Sequence, residues 1–163
     1  MQAAMLEKRD SYYALYRDFR WQIPDKFNIG VAVSDRWALV DPDRVAIHAF
    51  DPVDGAASLT FGELATKSDA LASGLRNLGI GKGDRVALLL PQCFETAIGH
   101  VAIYKLGGIA VPLALLFGVE ALEYRLKACG AKAVITNARG AATIAQIRER
   151  LPDLAHMIIT EKA

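Results

Sequence analysis

Phe61, Leu64, Ala65, Ser68, Leu71, Ala72, Leu75 and Leu78 fall on one face at the 3.6-residue period, which predicts an amphipathic helix over 61–78. Thr60 and Glu63 stand at the spacing of a capping box, and Leu59 is placed to staple onto Leu64. Gly79 follows where a left-handed cap ends a helix. Beyond it the pattern changes. Residues 85–90 form a continuous apolar run closed by Pro91, the signature of a strand buried on both faces. Residues 94–106 return to the helical period, with Phe94, Ala97, Ile98, Val101 and Ala102 on one side. Strands are predicted at 109–113, 132–136 and 157–160, and helices at 119–129, capped by Gly130, and at 141–151, ended by Pro152. Short apolar strands alternating with helices imply right-handed βαβ crossovers. The fold class is α/β, built on a parallel sheet.

The chain before residue 61 follows a different pattern. Residues 45–50 and 58–60 read as two strands joined by the turn chemistry of Asp51, Pro52, Asp54 and Gly55, a hairpin expected at a sheet edge. Ser34 is expected to begin a short helix that uses Trp37 and Leu39 as apolar contacts and ends before Pro42. Residues 1–33 form an aromatic-rich arm carrying Tyr12, Tyr13, Tyr16, Phe19, Trp21 and Phe27, interrupted by Pro24. Its rings are expected to pack onto the domain surface, a partner or oligomer contact being the alternative. The chain thus divides into an arm, 1–33, and an α/β unit, 34–163.

Composition narrows the function classes. A chain of 163 residues that is 53% hydrophobic supports one well-cored domain. A formal net charge of +1 gives no global field to recruit nucleic acid or an anionic membrane. The most apolar run, 109–119, is shorter than the roughly 20 residues a membrane span needs. The first ten residues carry no apolar secretory core, so a soluble, cytoplasmic protein is expected. Cys93 and Cys129 lack metal-ligand spacing and read as reduced, buried thiols. His48, His100 and His156 make no pair at ligand spacing, and no metal site is assigned.

The glycine-rich stretch Gly79, Gly81, Gly83 with Asp84 invites a nucleotide-loop reading, but it follows a helix and opens a strand. A dinucleotide loop has the reverse order, so an αβ turn is expected. In open α/β sheets ligands bind outside the carboxyl ends of the strands. Those ends are Pro91 to Cys93, Ala114 to Gly118, and Asn137 to Gly140. In the last, Arg139 and Gly140 stand where a helix start and a guanidinium suit a phosphate, while the plainer alternative has Asn137 capping the helix and Arg139 in solvent.

The ordered series Leu59-Thr-Phe-Gly-Glu-Leu64, Gly79-Ile-Gly-Lys-Gly-Asp-Arg-Val86, and Tyr104-Lys-Leu-Gly-Gly-Ile-Ala-Val-Pro-Leu113 resembles the opening region of AMP-forming acyl-CoA synthetases. Phe27 to Gly30, Asp35 to Trp37 and Phe117 to Ala121 extend the likeness, most of all to the branch of acetyl-CoA and medium-chain acyl-CoA synthetases. The resemblance implies a ligase of fatty or other carboxylic acids, using ATP, CoA and Mg²⁺ through an acyl-adenylate. It also implies CoA contacts at Phe117, Gly118, Arg139 and Gly140, although both loops depart from the family pattern. No segment resembles the family's phosphate loop, and no catalytic residue is assigned. The chain is therefore expected to be an inactive N-terminal portion that partners the rest of a synthetase chain and self-associates through exposed apolar surface. The alternative is a free-standing, non-catalytic α/β binding or adaptor domain.

Overall fold

In the computed structural model, residue 6 and residues 8–21, 24–51 and 55–160 are described. Four strands, β3 (Arg85–Leu89), β4 (Ile109–Leu113), β5 (Ala133–Thr136) and β6 (His156–Ile159), form a wholly parallel sheet in the order β4-β3-β5-β6. The first move, from β3 to β4, runs one way along the sheet, and the next crosses back over β3 to β5. Right-handed crossovers of opposite direction place their helices on opposite faces. The two core clusters follow this division. Val86, Leu88, Ala133 and Ile135 point to one face, with Ile103 of α4 (Phe94–Lys105) and Leu75 of α3 (Phe61–Asn77). Ala87, Leu89 and Val134 point to the other, with Leu122 and Leu126 of α5 (Val119–Cys129) and Ile144 of α6 (Ala138–Ala145). Burial on both faces is why these strands carry no polar alternation.

Two helix ends show how local sequence sets the elements. Thr60 Oγ1 accepts the Glu63 N–H at 3.2 Å while Glu63 Oε2 accepts the Thr60 N–H at 2.9 Å, the reciprocal pair that satisfies two orphan donors of α3. At the far end of α5, Gly130 takes φ of +57°, a conformation a Cβ opposes.

The hairpin of β1 (Val45–Asp51) and β2 (Gly55–Thr60) is antiparallel, as expected, but it is a separate two-stranded sheet. It does not edge the parallel sheet. Ala46, Ile47 and Leu59 pack instead with Leu64, Phe94, Ile98 and Val101, on the outer side of α3 and α4. Part of the hairpin turn, 52–54, lies outside the described residues.

Other expectations are corrected. The helix expected from Ser34 is preceded by a π-helical turn, Val31–Asp35, which runs directly into α2 (Arg36–Val40). Trp37 packs on Phe61, with ring centroids 6.0 Å apart, but Leu39 is 87% exposed and makes no core contact. The expected helix over 141–151 starts earlier, at Ala138, because Asn137 caps it, and ends in a separate 3₁₀ turn, Arg148–Arg150. Cys93 and Cys129 are free thiols as expected, but half-buried.

The arm's rings do not pack onto the domain. Tyr12, Tyr13 and Tyr16 of α1 (Tyr12–Asp18), together with Trp21 and Phe27, are all more than two-thirds exposed. The rings lie against one another: Tyr12 with Tyr13 at 5.9 Å, and Phe19 with Trp21 at 5.0 Å. Asn28 ties the chain to the body, its Nδ2 donating to the Lys105 carbonyl at 3.0 Å. Gly30 follows so closely against α4 that a Cβ there would stand 2.8 Å from the Lys105 nitrogen and 2.9 Å from the Val101 carbonyl. Lys105 completes the attachment. Its ammonium lies 2.5 Å from Asp35 and 2.7 Å from Asp69, and its side chain is 7% exposed.

Candidate functional site

The carboxyl ends of β3, β4 and β5 lie along one edge of the sheet, because the strands are parallel and adjacent. The loop after β3 leads to α4 on one face, and those after β4 and β5 lead to α5 and α6 on the other. Loops that part in this way open a crevice, the place where such sheets hold ligands.

Each loop is fixed by its own contacts. After β3, Thr96 Oγ1 donates to the Pro91 carbonyl at 2.6 Å, and Cys93 Sγ lies 3.4 Å from the same hydroxyl. After β4, the Phe117 N–H donates to the Ala114 carbonyl at 3.0 Å, and Gly118 becomes the N-cap of α5. After β5, Thr136 Oγ1 donates across to the Leu89 carbonyl at 2.8 Å, tying the end of β5 to the end of β3.

The four residues singled out by resemblance fall into two groups. Phe117 and Gly118 lie on the β4–α5 loop. Phe117 packs against the core cluster that contains Leu122, and the Arg125 guanidinium stands over its ring, 4.2 Å from the centroid. Arg139 and Gly140 lie in the first turn of α6. Asn137, 4% exposed, accepts the Gly140 N–H on its Oδ1 at 2.9 Å, so the cap is the arrangement found and Gly140 does not offer that donor outward. Gly140 is buried, and a Cβ on it would collide with Thr136 Oγ1. Arg139 is exposed.

The glycine-rich stretch is the αβ turn its order implies. Asp84 Oδ2 accepts the Gly81 N–H at 2.9 Å, and Asp84 Oδ1 pairs with Lys132 at 2.8 Å. The Lys132 ammonium, first, and the Gly81 N–H hold the Asp84 carboxyl below the usual carboxylate range. Among the histidines, His100 is part-buried with Nδ1 3.2 Å from the Tyr104 hydroxyl, and burial pushes its pKa down. Among the described residues no three His, Cys, Asp or Glu side chains gather as a metal site.

Arg125 was not singled out from the sequence. Its signal is an aromatic residue just before a helix N-cap and a cation two turns into that helix, a pattern that gains meaning only once the ring folds back. Lys105 was missed for a similar reason, since its partners lie 70 and 36 positions away.

Residues 34–163 match the family model described as AMP-binding enzyme. The acetyl-coenzyme A synthetase of Phycomyces blakesleeanus is 32% identical over 124 residues, which are 76% of this chain and 18% of that protein. Acetyl-coenzyme A synthetase 2 of Saccharomyces cerevisiae is 34% identical over 131 residues, 78% of this chain and 19% of that protein. The chain therefore spans under a fifth of the length of these relatives. Among solved structures, an anthranilate CoA ligase in complex with anthranoyl-AMP superposes with a TM-score of 0.76 at 28% identity, covering 85% of this chain and 26% of that one. Residues 34–163, with their parallel sheet and ordered motifs, thus place the chain in the AMP-binding enzyme family.

Proposed function

We propose that these residues are the N-terminal scaffold of an acid–thiol ligase that joins a small carboxylic acid to CoA at the expense of ATP, through an acyl-adenylate. The observation that supports this most directly is the family match over 34–163, together with the same fold in a CoA ligase. A carboxylate is a poor acyl donor until its oxygen becomes part of a good leaving group, and adenylation followed by thiol attack meets that need. On this reading Phe117, Gly118, Arg139 and Gly140 belong to the CoA side of the crevice, with Gly140 acting through the tight β5–α6 junction rather than through its capped N–H. ATP, CoA and Mg²⁺ are cofactors of the complete polypeptide, and most of the groups that hold them lie outside these residues.

The same reading makes residues 1–163 alone inactive, gives them a cytoplasmic setting with reduced thiols, and makes them self-associate. Exposed rings such as Tyr13 at 82% and Trp21 at 80% support the last point. No helix among the described residues is long and apolar enough to cross a membrane. The test is carboxylate-dependent exchange of pyrophosphate into ATP. A polypeptide extending these residues to the length of the relatives should catalyse it, and residues 1–163 should not. Exchange by residues 1–163 at a comparable rate removes the scaffold reading. Its absence from both favours a non-catalytic binding domain. Sedimentation of residues 1–163 as a monodisperse monomer at high concentration removes the self-association.

A further inference from the structure

We propose that Arg125 is a positioning residue for the binding of CoA, acting through Phe117; this rests on the ligase reading above. Phe117 stands immediately before the N-cap of α5, and Arg125 lies two turns into the same helix. The Arg125 side chain reaches towards the start of the helix, and its guanidinium lies 4.2 Å from the Phe117 ring centroid. The ring also packs against the buried cluster of Leu113, Leu122 and Ile144. Arg125 is itself anchored, donating from Nη1 to the Ala121 carbonyl at 3.0 Å.

The loop Ala114 to Gly118 is thus held at both ends. The strand fixes its start, and the Phe117–Arg125 pair fixes its exit. Ala114, Leu116 and Gly118 are exposed between and beside these anchors, and Gly118 has open space around its Cβ position. No side chain caps the first turn of α5, so beyond the Phe117 N–H to Ala114 carbonyl bond the exit lacks the side-chain hydrogen bond that Thr60 and Asn137 give theirs. The cation over the ring fills that place. An Arg–aromatic contact has a directional preference for the ring face, and a long guanidinium stem covers apolar surface as well. Losing it frees the loop without touching the sheet beneath.

The experiment uses the complete ligase and compares Arg125→Ala, Arg125→Lys and Phe117→Leu, alone and combined. Arg125→Ala should raise the KM for CoA about three- to tenfold, the size of effect a ring–cation contact carries. Over the same comparison kcat and carboxylate-dependent pyrophosphate exchange should change less than about twofold. Arg125→Lys, which keeps a cation for the ring, should recover most of the loss. In the Phe117→Leu background Arg125→Ala should add little, because the partner is already gone. A KM for CoA that stays put in Arg125→Ala, or effects of the two substitutions that simply add, overturns the positioning role while exchange by the parent enzyme leaves the ligase reading standing. If Arg125→Ala fails to fold, Arg125→Gln and the single Phe117→Leu variant decide instead: each should raise the KM for CoA, and an unchanged KM in both overturns the role. A parent enzyme with no exchange removes the ligase reading, and this role with it.

Discussion

Arg85 Nε donates to the Cys129 carbonyl at 2.7 Å, across 44 positions of sequence. Its Nη2 donates to the Gly130 carbonyl at 2.7 Å. The first residue of β3 therefore caps the last turn of α5, where carbonyls without intrahelical partners collect. This gives a physical reason for the Asp84-Arg85 pair. Asp84 closes its own turn and holds Lys132, and Arg85 closes the helix that leads into Lys132.

Arg85→Met should lower unfolding stability by about 2–4 kcal/mol, since two charge-assisted hydrogen bonds are lost and two carbonyls are left part-buried. Urea denaturation with an unchanged m-value measures it. A loss below about 0.5 kcal/mol, the ordinary surface value, removes the capping role.

Lys105 joins segment 28–35 to the body, so its loss should be felt there first. Lys105→Met keeps the apolar stem but leaves Asp35 without its cation. Amide hydrogen exchange over 28–40 should then speed up by at least about tenfold, equivalent to about 1.4 kcal/mol of local opening. The amides of β3 and β5 should be unaffected. Uniform change across both regions contradicts a local attachment.

Ser34 is fully buried in the π-helical turn, and among the described residues its hydroxyl has no hydrogen-bond partner. Burying a hydroxyl unpaired costs about 1–3 kcal/mol. Ser34→Ala should therefore be neutral or stabilising by up to about 1 kcal/mol in thermal unfolding. A clear loss of stability shows that the hydroxyl is satisfied in solution.

Acid should destabilise the protein in two steps. Burial lowers the pKa of His100 from its ordinary 6.5, so below pH 6.5 the unfolded chain takes a proton that the folded one refuses. Stability is full above that value and falls as pH drops towards the lowered one. Asp84, held low chiefly by the Lys132 ammonium, gives the second step. Its contribution is complete above the ordinary 3.8 and disappears as pH falls through the lowered folded value. His100→Gln should flatten the first step and Asp84→Asn the second, read from urea midpoints between pH 3 and 8. An unchanged profile in either variant contradicts that group's part.

The helix over 61–77 was legible because every signal it needs is local: Thr60, Glu63, the apolar face and Gly79 lie within twenty positions. The alternation of strands and helices was legible for a related reason, since a strand buried on both faces has to be apolar throughout. Errors came where a distant group decides. The 3₁₀ turn that replaces the last turns of the expected helix is braced by Arg148, which donates to the Leu154 and Ala155 carbonyls. Leu39 looked like a core contact because its neighbours are apolar, yet the π-helical turn rotates α2 so that Trp37 meets Phe61 and Leu39 faces solvent. The candidate site was legible as three loops at strand ends. Its detail was not, because the Phe117–Arg125 stack and the Thr136–Leu89 bond depend on how α5 and β5 sit in three dimensions.

Pro112 stands in β4, an outer strand of the described sheet, opposite Leu88 of β3. The Ile109 N–H points towards β3, where Asp84 accepts it. Backbone direction alternates along a strand, so the nitrogen of Pro112 faces away from β3. That outer rim has a blank in its row of donors. The far rim, along β6, carries no proline. The sheet is therefore a template with a direction. A further strand would meet an interrupted ladder at β4, where one imino acid leaves the rim a donor short, and no such proline interruption along β6.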